Sequence, residues 1–454
     1  MMICTTTLKR LSSARGAGLS TTAAAASSAF SLHAIGTGVH GETGLGVMPE
    51  RSALGLTCDV TAAYRVPDMG KVLDASAGWG HSAAIEASNP SSIVLMGRAL
   101  DMEHTLRWGR GVGRLLGIDS ETWVGSPSNA SALYSWGLNR FKEVSESTVP
   151  FKKPQQVDLP CKAGDTVRRV SCSGGLTIAL MESGVAYAIG ANRYGQCGIG
   201  DRRVYCLEPL QVRVPSPIAR LDTGFQHCVA LTSSGAVYTW GKGLRGQLGL
   251  SRETERELEP VAVERIEGDV VDVAAGMNHT AAVTKDGSVW IWGKYQNPER
   301  HSKYKYFKDA IGPRRVDFPE GTRIASILCG QYSTVAVDED GGVWQWGMWP
   351  DSAMERYMRE KESGEEASQE MHGLERMVHA PQKVCIPKEY EGLKMSIAPG
   401  FGQTIATFPD SPKKTPISWG FDGHARPWLA CENLSVKHVR QAHMHILLMI
   451  EENK

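Results

Sequence analysis

The chain has 454 residues with 49 Lys+Arg against 49 Asp+Glu, so it carries no net charge and no global basic field to hold nucleic acid. Hydrophobic residues make up 42% and charged residues 22%, a soluble globular balance, and no apolar run approaches the ~18 residues of a membrane helix. Glycine numbers 49, above its usual ~7% share, which predicts many turns.

Residues 1–31 are rich in Ser, Thr and Ala. They carry Lys9, Arg10 and Arg15, and no acid occurs before Glu42. A basic, hydroxyl-rich, acid-poor leader without a continuous apolar core predicts a mitochondrial transit peptide rather than a secretory signal. The expected location is the matrix or the inner-membrane surface; a plastid or cytoplasmic location is the alternative.

Beyond the leader a unit recurs about every fifty residues. "GMNHTAAVTKDGSVWIWGK" at Gly276 has clear relatives starting at Gly174, Gly224 and Gly330, and weaker ones at Gly78 and Gly400. A glycine opens the unit. Alternating apolar and small residues, as in Thr280–Val283, predict a strand with one buried face. A turn such as "TKDG" or "TSSG" follows, with Gly supplying a positive φ. A second strand ends in "VWIWG" or "VYTWG". A G-Q-[LC]-G turn and a Pro/Val-containing outer strand complete the unit. Four short strands per unit, repeated, predict β-propeller blades.

Six starts are visible. The C-terminal "QAHMHILLMIEE" has an opening strand without a second half, and the N-terminal "LHAIGTGVHGETGLG" the reverse. Joined, they make a seventh blade and remove exposed sheet edges. The expectation is an all-β, seven-bladed propeller over residues 32–450, closed by N- and C-terminal strands, with insertions near 98–131 and 348–380. Residues 98–170 hold a second hairpin ending, "ALYSWGLNRF" (Ala132–Phe141), and read either as one blade with a long insertion or as two degenerate blades.

Several motifs resemble chemistry. "GTGVHG" (Gly36–Gly41) and "GKGLRG" (Gly241–Gly246) match G-x-G-x-x-G, but no helix pattern follows, and Asn192 replaces the middle glycine in "GANRYG". Turns that need a backbone angle explain them. His81, His227, His279 and His445 take the same slot as Thr177, Ser333 and Gln403, which predicts hydrogen bonding to neighbouring backbone rather than metal ligation. Trp240, Trp290, Trp292, Trp344, Trp346 and Trp419 are expected between blades. The ten cysteines include no C-x-x-C pair and read as buried free thiols. No Walker A, H-E-x-x-H or G-x-S-x-G occurs, and no catalytic constellation, cofactor or metal is expected.

Two segments depart from the repeat. "NPERHSKYKYFKDAIGPRR" (Asn297–Arg315) replaces the G-Q-L-G turn. Its Arg300, Lys303, Lys305 and Lys308 alternate with Tyr304, Tyr306 and Phe307, cations for phosphates beside rings for unpaired bases, which makes it the RNA-binding candidate. "DSAMERYMREKESGEEASQEMHGLERMV" (Asp351–Val378) reads as a charged helical insertion that offers Met354, Tyr357 and Met358 to a partner.

G-x-x-H-[ST]-x-A-[VL] at Gly276–Val283, V-[YW]-x-W-G at Val237–Gly241, and G-Q-[LC]-G at Gly246–Gly249 and Gly195–Gly198 together resemble the regulator of chromosome condensation repeat family. With its leader the chain is most similar to the mitochondrial branch. That branch implies work in mitochondrial translation or ribosomal RNA maturation, with a guanine-exchange role also proposed. The nuclear branch implies exchange on the Ran GTPase and nucleosome binding. The expected function is therefore a non-catalytic, monomeric propeller within a larger complex. It would hold protein or RNA partners, mitochondrial ribosome components among them. The alternative is an exchange factor for a small GTPase, with the insertion at Gly97–Ser131 as its wedge.

Overall fold

A computed structural model describes residues 30–37, 59–66, 69–78, 81–97, 155–300, 307–349, 376–400, 403–411, 415–420, 422–428, 434–441 and 445–451. Among them are seven four-stranded antiparallel sheets. Blade 1 is Val72–Ala77, His81–Glu86, Ser92–Gly97 and Gln155–Asp158, counted from the axis outwards. Blade 2 is Val167–Ser173, Leu176–Met181, Ala186–Ala191 and Tyr205–Gln211. Blade 3 is Ile218–Thr223, His227–Thr232, Val237–Lys242 and Arg256–Ala262. Blade 4 is Val270–Ala275, His279–Thr284, Val289–Arg300 and Phe307–Val316. Blade 5 is Ile324–Cys329, Ser333–Asp338, Val343–Trp349 and Arg376–Lys383, and blade 6 is Ser396–Pro399, Thr404–Thr407, Ile417–Trp419 and Arg426–Pro427.

Blade 7 takes Val436–Gln441 and His445–Ile450 from the C-terminal end and Ser31–Thr37 and Asp59–Arg65 from the N-terminal end. Ser31 faces Ile450 and Ala34 faces Leu447 across the closing seam. Successive innermost strands touch from Val72–Ala77 round to Val436–Gln441 and back, so the sheets form a closed ring. The fold is a seven-bladed β-propeller.

Three sequence expectations shift. The strand nearest the axis lies before the opening glycine, so each blade begins one strand earlier than the motif, and the C-terminal end supplies two strands rather than one. Ser92–Gly97 pairs with Gln155–Asp158, so the strands on either side of residues 98–154 share blade 1; residues 98–154, with Ala132–Phe141, lie outside the described residues. The second strands are buried on both faces, with every residue of His227–Thr232 and His279–Thr284 buried. A radial sheet has a neighbour on each side, so even its small and hydroxyl-bearing positions lose water.

The core is accordingly divided. Seven apolar clusters among the described residues each bridge two adjacent blades. Trp240 packs with Leu176, Ile178 and Ala188 of the preceding blade, and Trp292 with Val229 and Leu231 of its own predecessor. The tryptophans thus fill the space between blades, where a fully buried ring contributes about 3–5 kcal/mol on truncation. The W-G glycine beside each ring is required sterically. Gly241 has φ 96°, and a Cβ there would lie 2.6 Å from the Gln226 carbonyl oxygen.

Candidate partner-docking surface

The residues that look most like chemistry form joints between blades. His227 Nε2 lies 2.9 Å from Thr280 Oγ1 of blade 4, and Thr280 donates onward to the Gln247 carbonyl at 2.8 Å. Since the threonine proton is used there, His227 must donate through Nε2. Trp292 Nε1 donates to the same carbonyl at 2.9 Å. His81 meets Thr177 Oγ1 at 3.0 Å and the Leu176 carbonyl at 3.2 Å, and His279 meets Thr334 Oγ1 at 3.2 Å. The expected neighbouring-backbone partner is present at His81, which meets the Leu176 carbonyl, and all three rings also meet a threonine hydroxyl of the next blade. Burial lowers the three pKa values to about 4, 3 and 4 for His81, His227 and His279. All three rings are neutral at pH 7.

Thr177 does not share the histidine slot. Leu176 pairs with Gly190 as His227 pairs with Gly241, so Leu176 holds the slot and Thr177 is the receiving hydroxyl. Asn192 also departs from its expected reason. It is absent from the positive-φ residues; its Oδ1 accepts from Cys197 N at 2.9 Å and its Nδ2 donates to the Arg203 carbonyl at 2.8 Å. A side-chain tether, not a backbone angle, selects Asn there. At the equivalent Gly243 a Cβ would lie 2.7 Å from the Thr254 carbonyl oxygen, so that glycine is needed for space.

Buried carboxylates escaped the sequence reading because isolated Asp residues carry no pattern. Asp222 Oδ2 accepts from Ala275 N at 2.9 Å, and Asp272 Oδ2 accepts from Ile327 N at 3.1 Å, each in the following blade. Arg440 of blade 7 pairs with Asp74 of blade 1 at 2.9 Å. Innermost strands are sheet edges with unpaired backbone groups, and these side chains satisfy some of them across three junctions, Arg440 Nε donating to the Ala75 carbonyl at 3.1 Å. Seven cysteines lie among the described residues, and four of them are buried as expected. Cys172, Cys197, Cys206 and Cys228 are buried, Cys161 and Cys329 are partly so, and Cys385 is exposed; all are free. Burial pushes the Cys172 thiol up to about 12.

The RNA-binding candidate takes a shape the sequence did not suggest. Val289–Arg300 and Phe307–Val316 pair beyond the blade, with Asn297 facing Lys308 and Arg300 facing Phe307. The G-Q-x-G turn is thus replaced by a two-stranded ribbon rather than a loop. Arg300 and Lys308 stand on its strands; Lys303, Tyr304, Lys305 and Tyr306 lie outside the described residues, as do Met354, Tyr357 and Met358. Exposed cations also occur on the loops that follow third strands, Arg193 and Arg245 among them. Their signal, one basic residue at related places in successive repeats, is visible only once the blades are aligned.

Models of the regulator of chromosome condensation (RCC1) repeat match residues 183–231 and 234–283, and a second model of the repeat matches 218–247 and 270–297. These matched residues are the blades whose histidine, tryptophan and G-Q-x-G joints are described above. The propeller carries RCC1 repeats over residues 183–297. The ultraviolet-B receptor UVR8 of Arabidopsis thaliana is 31% identical over 218 residues, 47% of this chain and 48% of that one. The secretion-regulating guanine nucleotide exchange factor of Bos taurus is 27% identical over 225 residues, 48% of each chain. The chain spans about half the length of these curated relatives. The crystal structure of Prp20p from Saccharomyces cerevisiae, titled for its binding to Gsp1p and histones, superposes with a TM-score of 0.65 at 19% identity over 98% of this chain and 95% of that one. That likeness shares the RCC1-type ring.

Proposed function

We propose that this RCC1-type propeller is a non-catalytic docking ring that holds RNA and protein partners in mitochondrial ribosome assembly or mitochondrial RNA maturation. The blade 4 ribbon carries this reading. A strand of 12 residues, Val289–Arg300, occupies a place where its counterpart in blade 3, Val237–Lys242, has 6. Lengthening a hairpin beyond its blade gains no inter-blade packing, so its use is at the surface. The segment it presents mixes cations with aromatic rings, which suits phosphates and unpaired bases. The acid-free leader supports the mitochondrial setting. The experiment is purification of the tagged chain from isolated mitochondria with bound RNA and proteins identified, beside the R300A/K303A/K305A/K308A variant. Recovery of ribosomal RNA or ribosomal proteins, with RNA lost in the variant, is the predicted result. Equal RNA recovery by both would remove the ribbon from the reading.

A second reading, an exchange factor for a small GTPase, is favoured by the similarity to a named guanine nucleotide exchange factor and to Prp20p. Accelerated release of labelled GDP from purified mitochondrial GTPases would establish it, and no acceleration across them would remove it.

A further inference from the structure

Blade 2 carries two thiols at places where blade 3 has none. Its rim turn reads G-Q-C-G and sets Cys197 where the G-Q-L-G turn of blade 3 sets Leu248. Its outer strand sets Cys206 opposite Gly190, and the outer strand of blade 3 sets Glu257 opposite the matching Gly241. The joint is built with leucine and glutamate in one blade, so packing alone does not select cysteine in the other.

The two side chains meet beside Gly190. Cys197 Sγ lies 4.0 Å from the Gly190 carbonyl oxygen and 3.6 Å from that of Ala191. Those same two residues face Cys206 and Tyr205 across the ladder. Both cysteines belong to one apolar cluster between blades 2 and 3. The Cys197 thiol and the Arg203 guanidinium hold Cys206 below the usual thiol range, whereas burial and the Cys206 thiol raise Cys197 well above it. One sulfur is suited to attack and its neighbour to resolve. Cys228 of blade 3 is engaged elsewhere: it donates to the Gln196 carbonyl at 3.4 Å, and burial pushes its thiol well above the usual range.

Residues 198–205 join the two cysteines as a loop on the rim, with Gly200, Arg202 and Arg203 exposed. The loop is held by Asn192, whose Nδ2 donates to the Arg203 carbonyl at 2.8 Å and whose backbone N donates to that of Val204 at 2.7 Å. Gly200 N donates to the Leu258 carbonyl of blade 3 at 3.0 Å. A loop held by a few such bonds opens locally without global unfolding, and that opening admits hydrogen peroxide to Cys206.

We propose that Cys197 and Cys206 are a reversible disulfide site, closed by a hydroperoxide and reopened by a dithiol, which pins residues 198–205 to the rim beside blade 3. The Cys206 thiolate attacks one peroxide oxygen. The S–O bond forms as the O–O bond breaks, and the departing hydroxide takes up the proton that Cys206 gave up on ionising. The Cys197 sulfur then attacks the Cys206 sulfur. The S–S bond forms, the S–O bond breaks, and the second hydroxide leaves as water with the Cys197 proton. Two thiols and one hydrogen peroxide give one disulfide and two waters, the peroxide oxygens gaining the two electrons that the sulfurs lose.

The test treats the dilute native full chain with hydrogen peroxide, alkylates the remaining thiols in urea, and reads tryptic peptides by mass spectrometry. Trypsin cuts after Arg202 and Arg203, so a 197–206 bridge shows as two joined peptides. The predicted result is that joined pair, two hydrogens lighter than its parts. Dithiothreitol and Cys206→Ser should abolish it, and Cys228→Ser should keep it. The bridged chain should melt several degrees above the reduced one, because a closed loop restricts the unfolded state; an unchanged melting temperature would remove the pinning. Three results would overturn the site itself. Both thiols could stay alkylatable at peroxide levels that oxidise the exposed Cys385, Cys206 could pass to sulfinic acid with Cys197 free, or Cys197 could join Cys228 instead. A bridge that forms only after unfolding in urea would do the same. Mapping of the unsubstituted chain decides among these outcomes even where a variant fails to fold.

Discussion

At the residue scale the decisive unit is a buried relay. His227 donates to Thr280, Thr280 donates to the Gln247 carbonyl, and Trp292 donates to that oxygen as well. Thr280→Val keeps the shape and deletes the hydroxyl, leaving the His227 N–H without an acceptor. A loss of about 1–3 kcal/mol in urea unfolding is expected, with Thr280→Ser milder. Acid should act on the same joints. The unfolded rings protonate near 6.5, but in the fold His81, His227 and His279 wait until about 4, 3 and 4. Their contribution is complete above 6.5 and falls as pH drops towards 4, by about 1.4 kcal/mol per pH unit for each ring. Asp222 and Asp272, raised by burial, take up protons in the fold and offset part of that loss. Urea midpoints between pH 7 and 4.5 should therefore decline, and His227→Gln, the side chain that blade 6 carries at Gln403, should flatten the decline by one ring. An unchanged slope would show that His227 is not buried neutral.

The element scale shows what inserting a surface segment does to the joint beside it. Where the G-Q-x-G turn is kept, the next blade's indole has an acceptor: Trp240 donates to the Gln196 carbonyl and Trp292 to that of Gln247, both at 2.9 Å. Blade 4 replaces the turn with its ribbon and blade 5 with residues 350–375. Among the described residues, the indole nitrogens of Trp346 and Trp419 then have no acceptor. Trp292→Phe should accordingly cost about 1 kcal/mol more than Trp346→Phe, measured by thermal or urea unfolding. The sequence displayed the elements well because turn chemistry is local: Gly184, Gly235, Gly287 and Gly341 all take the positive φ expected of the hairpin turns. It concealed what depends on partners in space. The strands around Thr280–Val283 read as one-sided because small residues alternate with apolar ones, and only the neighbouring blades make both sides interior. The ribbon escaped the sequence reading because register between Arg300 and Phe307 leaves no mark in composition.

At the scale of the whole molecule the ring has no single core. Stability comes from apolar layers at seven junctions, each stitched by polar contacts such as Arg440 to Asp74 at the closing one. In such a ring, removing the N-terminal strands uncovers Leu447, Leu448 and Met449 and frees an edge next to blade 1. A chain that begins at residue 67 should lose cooperativity in thermal unfolding and self-associate, as size-exclusion chromatography would show. Closure also bears on function. It turns residues that resemble an active site into joints and leaves the rims and the ribbon for partners, which is why the candidate surface was only partly readable from motifs.

Joining of the two chain ends in one sheet is the claim on which the ring rests. Cysteines introduced together by Ala34→Cys and Leu447→Cys, at directly facing positions, measure it through peptide mapping after mild oxidation. A 34–447 disulfide within one monomer, accompanied by a higher melting temperature, is the predicted result. Free thiols at both positions, or cross-links found only between separate molecules, would contradict the closed ring.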